Sequence, residues 1–371
     1  MKTKPKINKK SNLKVMIVLD VLPDRNGAGS YYRDLVEHIN PIIKELILLG
    51  PSEKNDINTF FTIPMPGDKT QKLYIPKYYH LSKKIEDFNP NIIILPTPGF
   101  YGLTALKKAK EMNIPICPVL HNDYESLASF YWGGFLGFTI NKIFVWLNRL
   151  FFKPSKLTLI MNNNMKKLAT KMGANKIVSI GTPLAREFLD LPIKPINKKI
   201  KRVLFAGRLA PEKRIDKVLE SAKNLPNIKF AFAGDGPLKE QVINEEKKFK
   251  NIKYLGWLKR EQLIRELDNS EILVLPSSLE TFGTAAFEGM SRGRIVIVSP
   301  EAGITNWTDL SSCLFKTSSE KTLTNILEEI ISLPHSEIKK ISVESAKISK
   351  KLTKKTIDEW MKIINQISTK I

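Results

Sequence analysis

The stretch Glu271-Ile272-Leu273-Val274-Leu275-Pro276-Ser277-Ser278-Leu279-Glu280-Thr281-Phe282-Gly283-Thr284-Ala285-Ala286-Phe287-Glu288-Gly289-Met290 decides how the chain is read. Ile272 to Leu275 is a short apolar run closed by Pro276, the pattern of a strand buried on both faces of a parallel sheet. From about Gly283 the alanines and Met290 favour helix. Strand, loop and helix N-terminus follow one another. The N–H groups of Phe282, Gly283 and Thr284 then point out of the helix end, toward an anion or a sugar hydroxyl. Gly283 has no side chain and lets a ligand approach its backbone. Glu280 in the loop and Glu288 in the helix flank this turn. On their own, two glutamates so spaced are solvated surface residues. Set between a strand end, two serines, Phe282-Gly283 and two alanines, each can accept hydrogen bonds from a vicinal diol, and the pair can hold two separate sugar rings.

This pattern resembles the Glu-x7-Glu signature of retaining GT-B glycosyltransferases, family 4, the glycosyl transferases of group 1. The resemblance implies that Glu280 meets the donor hexose and Glu288 the nucleotide ribose. It covers roughly residues 13 to 345. Gly207-Arg208-Leu209-Ala210-Pro211-Glu212-Lys213 is similar to the family's Gly-Arg-Leu-x-Pro-Glu-Lys. Arg208 and Lys213 flank a turn after the strand Arg202 to Ala206, where arginine matches phosphate oxygens in a fork and lysine adds a compact charge. They read as a clamp on a diphosphate. Ile252 to Leu255 leads into Gly256-Trp257-Leu258, where the family holds the nucleobase through backbone groups. That contact carries no readable base code, so UDP and GDP donors stay open.

Earlier in the chain, Leu13 to Leu19 is a strong first strand. A glycine-bearing turn follows, with Gly27 and Gly29, and then a helix from about Ser30 to Ile39. Such a turn suits a phosphate or sugar. Tyr32 occupies the third glycine position of the dinucleotide fingerprint, which opposes a dinucleotide-dependent oxidoreductase. Further strands are read at Glu45 to Leu49, Asn91 to Leu95 and Pro115 to Leu120, with Phe60 to Tyr79 irregular. Thr97-Pro98-Gly99-Phe100-Tyr101-Gly102 and His121-Asn122-Asp123-Tyr124 stand at the carboxyl ends of two of them, where parallel α/β sheets place ligands. The two segments resemble the family's branch of sulfoquinovosyl diacylglycerol synthases and GDP-mannose-dependent α-mannosyltransferases. They imply a contact from His121 to the donor hexose, and Thr97, Gly99, Asp123 and Tyr124 on the acceptor side. Asn122 stands where the branch has threonine. Ile304 stands where the family has a second glycine, so its side chain is expected to crowd the hexose site or change its shape.

Length and composition agree with two α/β units. At 371 residues the chain can form two ordinary domains, and 42% apolar residues is typical of a globular protein. The reading is α/β, GT-B, with two Rossmann-like domains facing across a cleft. Its parts are a basic tail at 1–12, an acceptor domain at 13–185, a nucleotide-sugar donor domain at 186–345 and a C-terminal helix at 346–371 that returns toward the first domain. Segments around Gly181-Thr182-Pro183-Leu184 and Leu191 to Pro195 read as the linker. The formal net charge is +22. It is spread over both halves without an aromatic–basic motif, so nucleic acid is not an expected partner. A lysine-rich background composition accounts for the charge, and contact with an anionic membrane surface is the next reading.

Cys117 and Cys313, far apart in apolar contexts, read as reduced buried thiols of a cytoplasmic protein, possible at the inner face of the plasma membrane. No metal-ligand cluster and no Asp-x-Asp motif appears, so no metal and no cofactor is expected beyond the nucleotide-sugar. Phe130 to Phe152 is the most apolar stretch but contains Asn141, Lys142, Asn148 and Arg149. It reads first as a buried helix of the α/β unit, with an interfacial helix as the alternative. The expected acceptor is a lipid such as diacylglycerol or a glycolipid, the alternative a soluble or polysaccharide-precursor acceptor.

Overall fold

The structure is a computed structural model that describes residues 11–23, 27–52, 58–65, 68–123, 126, 131–132 and 134–368. The chain forms two units. One takes in the chain up to Ala185 together with the segment from Lys355, and the other is Arg186–Lys354.

The first unit runs β1 (Ser11–Val18), α1 (Gly27–Ile39), β2 (Ile43–Leu49), β3 (Thr59–Met65), β4 (Asp68–Pro76), α2 (Tyr78–Phe88), β5 (Ile92–Leu95), α3 (Phe100–Glu111), β6 (Ile116–Leu120), α4 (Gly134–Phe152), β7 (Thr158–Ile160), α5 (Lys166–Lys171) and β8 (Ile177–Ser179). Its described sheet is parallel throughout, in the order β2-β1-β5-β6-β7-β8. Val15 to Leu19 and Ile92 to Leu95 are buried on both faces, which is why these strands read as unbroken apolar runs.

The second unit contains α6 (Arg186–Asp190), β9 (Arg202–Ala206), α7 (Ile215–Asn224), β10 (Lys229–Ala233), α8 (Lys239–Lys248), β11 (Ile252–Gly256), α9 (Arg260–Asp268), β12 (Ile272–Leu275), α10 (Thr284–Ser291), β13 (Ile295–Val298), α11 (Thr308–Ser311), β14 (Leu314–Lys316) and α12 (Leu323–Ser332). Its described sheet is also parallel, ordered β11-β10-β9-β12-β13-β14. Counted within the unit this is 3-2-1-4-5-6, the doubly wound order, with the direction of winding reversing between β9 and β12. The last helix, α13 (His335–Ser368), begins in the second unit, and its part from Lys355 belongs to the first. There Trp360, Ile363, Ile364 and Ile367 join the core of the first sheet.

Three sequence expectations are corrected. Phe60 to Tyr79 is not irregular: β3 and β4 form an antiparallel ribbon, with Phe61 opposite Ile75 and Ile63 opposite Leu73, and α2 begins at Tyr78. Pro64 fits because a strand with one partner leaves one edge of N–H positions unused. The first helix starts at Gly27 instead of Ser30, so Gly27 and Gly29 lie in its first turn. The helix of the most apolar stretch is exposed rather than buried: of α4 only Gly137, Asn148, Phe151 and Phe152 are buried. Periodicity finds a helix but does not say which side of it finds a partner.

Candidate active site

In the second unit, the loops after β9, β12 and β13 are bonded into one group at the point where the strand order reverses. Glu212 sits in a 3-10 turn, Pro211–Lys213, after β9. Its carbonyl accepts the backbone N–H of Ser278 at 2.8 Å and the Ser278 hydroxyl at 3.3 Å, tying the first loop to the second. Across the same two loops the Lys213 ammonium donates to Glu280 Oε2 at 2.5 Å, both side chains largely shielded from water. Arg208 Nη1 donates to Glu212 Oε1 at 3.2 Å. The third loop joins through Gly303 N–H to the Glu280 carbonyl at 2.9 Å and Ile304 N–H to the Phe282 carbonyl at 2.6 Å. Arg208, Lys213 and Glu280 are thus gathered at the carboxyl edge of β9 and β12, where doubly wound sheets take their ligands.

Gly283 closes the turn in the left-handed region, at φ +102°, and precedes α10 with no side-chain cap. A residue with a Cβ is strained there, so the position favours glycine. Phe282 is buried and packs its ring against Phe287 at 5.5 Å and Trp307 at 6.2 Å between centroids. Thr284 and Glu288 are partly exposed on α10. Ile304 does not crowd an open surface: its side chain is fully buried, and a Cβ added at Gly283 would stand 3.6 Å from its Cγ2. It fills the interior beneath the turn. Trp257 is exposed and Leu258 half-buried in the loop that follows β11.

In the first unit the strand order also turns, between β1 and β5. There Asp20, just past β1, accepts the Thr97 hydroxyl at 2.8 Å and the backbone N–H groups of Gly99 at 3.1 Å and Tyr101 at 2.7 Å. The carboxylate stands at the N-terminus of α3, whose N-cap Gly99 has no capping side chain of its own. Burial pushes the Asp20 carboxyl up to about 6 against the opposing pull of these hydrogen bonds. A Cβ at Gly99 would lie 2.4 Å from Asp20 Oδ1. Thr97 and Gly99 therefore hold the end of β5 to the end of β1. Gly29 has a comparable packing reason, since a Cβ there would stand 2.3 Å from the Leu22 carbonyl oxygen, whereas Gly27 faces open space.

His121, just past β6, is 6% exposed and shares a hydrogen bond of 2.9 Å between Nε2 and the Tyr32 hydroxyl. Burial depresses its pKa to about 3, so it is neutral at physiological pH. Trp360 Nε1 donates to the Tyr31 hydroxyl at 2.8 Å, and that hydroxyl donates to the Gly181 carbonyl at 2.8 Å. Asp123 accepts the N–H and hydroxyl of Ser126, at 3.0 and 2.7 Å. Tyr124 lies outside the described residues. Sequence reasoning missed Asp20, Tyr32 and the Glu212–Ser278 tie. Glu212 and Ser278 lie inside the quoted motifs, whereas nothing local marks Asp20 or Tyr32, whose partners are 77 or more residues away.

The second unit's fold and these loops agree with a family. Residues 189–347 match the glycosyl transferases group 1. Residues 189–347 thus form a domain similar to those of glycosyltransferases. The chain is 25% identical over 257 residues to the sulfoquinovosyl transferase SQD2 of Arabidopsis thaliana, a match spanning 66% of this chain and about half, 49%, of that one. It is 22% identical to a GDP-mannose-dependent alpha-mannosyltransferase of Mycolicibacterium smegmatis over 78% of this chain and 80% of that one. It is 23% identical to the alpha-monoglucosyldiacylglycerol synthase of Acholeplasma laidlawii, over 75% and 77%. Among solved structures, a sucrose-phosphate synthase from Thermosynechococcus elongatus superposes with a TM-score of 0.75 at 14% identity, covering 96% of this chain and 99% of that one. Anabaena HepE, in complex with UDP and glucose, gives 0.69 at 14%, covering 95% and 100%. The fold is the GT-B α/β type, with a parallel-sheet domain in each unit.

Proposed function

We propose that the protein is a retaining glycosyltransferase that moves a hexose from a UDP- or GDP-linked donor to a lipid hydroxyl, such as that of diacylglycerol or a glycolipid, at the inner face of the plasma membrane. The observation that carries the reading is the group formed by Arg208, Lys213 and Glu280 beside the N-terminus of α10. An ammonium has three protons. Lys213 can keep its bond to Glu280 and still donate to a phosphate oxygen, which brings the diphosphate next to the carboxylate assigned to the hexose. Glu288, further along α10, is assigned to the ribose, and the loop of Trp257 and Leu258 to the base.

In the proposed chemistry the bond from the anomeric carbon to the diphosphate oxygen breaks while the acceptor hydroxyl bonds to the same face of that carbon. The hydroxyl proton passes to the departing phosphate oxygen. Arg208, Lys213 and the helix end bear the charge that develops there, so the reading invokes no protein base and no cofactor. His121 is assigned to the hexose as a neutral hydrogen-bonding group, since its burial opposes protonation. The lipid acceptor draws support from the names of two relatives, a sulfoquinovosyl transferase and a monoglucosyldiacylglycerol synthase.

Lys213→Ala should slow transfer by roughly a hundredfold or more, the usual cost of losing one charged donor at a transition state, about 3 kcal/mol. It also leaves Glu280 without its cation, so Lys213→Arg is the control for folding. The assay follows labelled hexose from UDP- or GDP-sugars into the organic phase with diacylglycerol present. Wild-type turnover in Lys213→Ala would remove the clamp. Product confined to the aqueous phase would move the acceptor to the soluble class.

A further inference from the structure

The helix α4 carries an apolar face that the first unit does not cover. Phe135, Leu136, Phe138, Ile143 and Trp146 are all exposed, Phe135 by 85% and Trp146 by 60%. Phe135, Phe138, Lys142, Trp146 and Arg149 recur at spacings of three and four, so they line one side of the helix. The helix is held to the unit from its other side and its last turn, where Phe151 and Phe152 enter the core.

The charge along this part of the chain has one sign. From Ser126 to Arg186 the chain has no aspartate or glutamate. Lys142, Arg149, Lys153, Lys156, Lys166 and Lys171 are all exposed. Three of them are drawn together in space: Arg149 donates to the Lys171 carbonyl at 3.1 Å, and Gly173, two residues on, lies against the Lys153 and Arg149 side chains. Lys142 Nζ lies 5.1 Å from the centre of the Phe138 ring. Among the described residues no helix is long and apolar enough to cross a membrane.

We propose that this face of α4 seats the protein on a bilayer rich in anionic lipid, with the helix in the plane of the interface. Phe and Trp enter the headgroup–acyl boundary, and the cations meet lipid phosphates. A protein partner fits the composition less well, because protein interfaces are depleted in lysine at their centres. The proposal rests on the lipid-acceptor reading for its purpose and on this surface for its geometry.

The test is co-sedimentation of the full chain with vesicles of phosphatidylcholine alone or mixed with phosphatidylglycerol. The wild type should pellet with the anionic vesicles, and less so as salt rises. Each cation near such a surface contributes about fivefold to binding. Phe135→Ser with Trp146→Ser should weaken binding at least tenfold, and Lys142→Glu with Lys153→Glu should do so on anionic vesicles. These side chains are exposed, so both variants should melt at the wild-type temperature. No vesicle binding, binding unchanged in both variants, or a dimer in place of vesicle binding overturns the proposal. Vesicle binding without glycosylation of lipid supports the surface and removes the lipid acceptor. Lipid glycosylation in detergent without vesicle binding keeps the acceptor and removes the surface.

Discussion

At the scale of single residues, environment sets chemistry. His121 and Asp20 both stand at strand ends, and both are shifted by burial, in the direction that disfavours charge. For His121 the folded pKa of about 3 lies below the unfolded value near 6.5. Stability from this group is complete above about pH 6.5 and is lost as the pH falls toward 3, because the unfolded chain binds the proton and the folded one resists it. At pH 5 the loss is about 2 kcal/mol. His121→Gln removes this dependence. Its melting temperature should fall less between pH 7 and pH 5 than that of the wild type. Parallel curves for the two proteins would show that His121 is protonated in the folded state.

At the scale of elements, the segment after Ala185 is fastened by two arginines with almost no exposed surface. Arg292 donates to Asp268 at 3.0 and 2.7 Å and to the carbonyls of Leu191 and Pro192 at 2.9 and 2.5 Å. Arg294 donates to the carbonyls of Arg292, Ser270 and Lys194, at 2.7, 3.0 and 2.5 Å. Burial holds the Arg294 pKa below its usual value. The stretch Leu191 to Pro195, which reads as linker in the sequence, is thus bound to the second unit by three of its carbonyls. Arg292→Met leaves Asp268 and those carbonyls without their donor and should cost about 3–5 kcal/mol. Urea unfolding measures the loss. A drop under 1 kcal/mol would mean that water replaces the arginine.

At the scale of the whole molecule, the chain order makes the first unit discontinuous. Residues from Lys355 supply Trp360, Ile363, Ile364 and Ile367 to its core, and Trp360 bonds to Tyr31 across 329 residues of sequence. The first unit therefore completes its core only after the second unit's segment has been made. A chain ended after Lys354 should lose the cooperative melting of the first unit, by calorimetry, and keep that of the second. Two intact transitions in the shortened chain would show that the last segment adds little.

The sequence alone determined the alternation of strands and helices, the doubly wound sheet that carries Arg208, Lys213 and Glu280, and the motifs at its strand ends. These are local signals: apolar runs, proline and glycine punctuation, and charged residues in fixed spacing after a strand. It misread the segment around Pro64 of β3, because a proline argues against a central strand and the sequence does not say that, among the described residues, this strand pairs with β4 alone. It buried α4, because composition measures how apolar a helix is and not whether anything packs on it. Tertiary structure alone decided that Lys213 pairs with Glu280, 67 residues away, that Asp20 holds the Thr97 turn, that Tyr32 fixes His121 and that Ile304 points inward. Each depends on two distant segments meeting in space, and no local pattern records such a meeting.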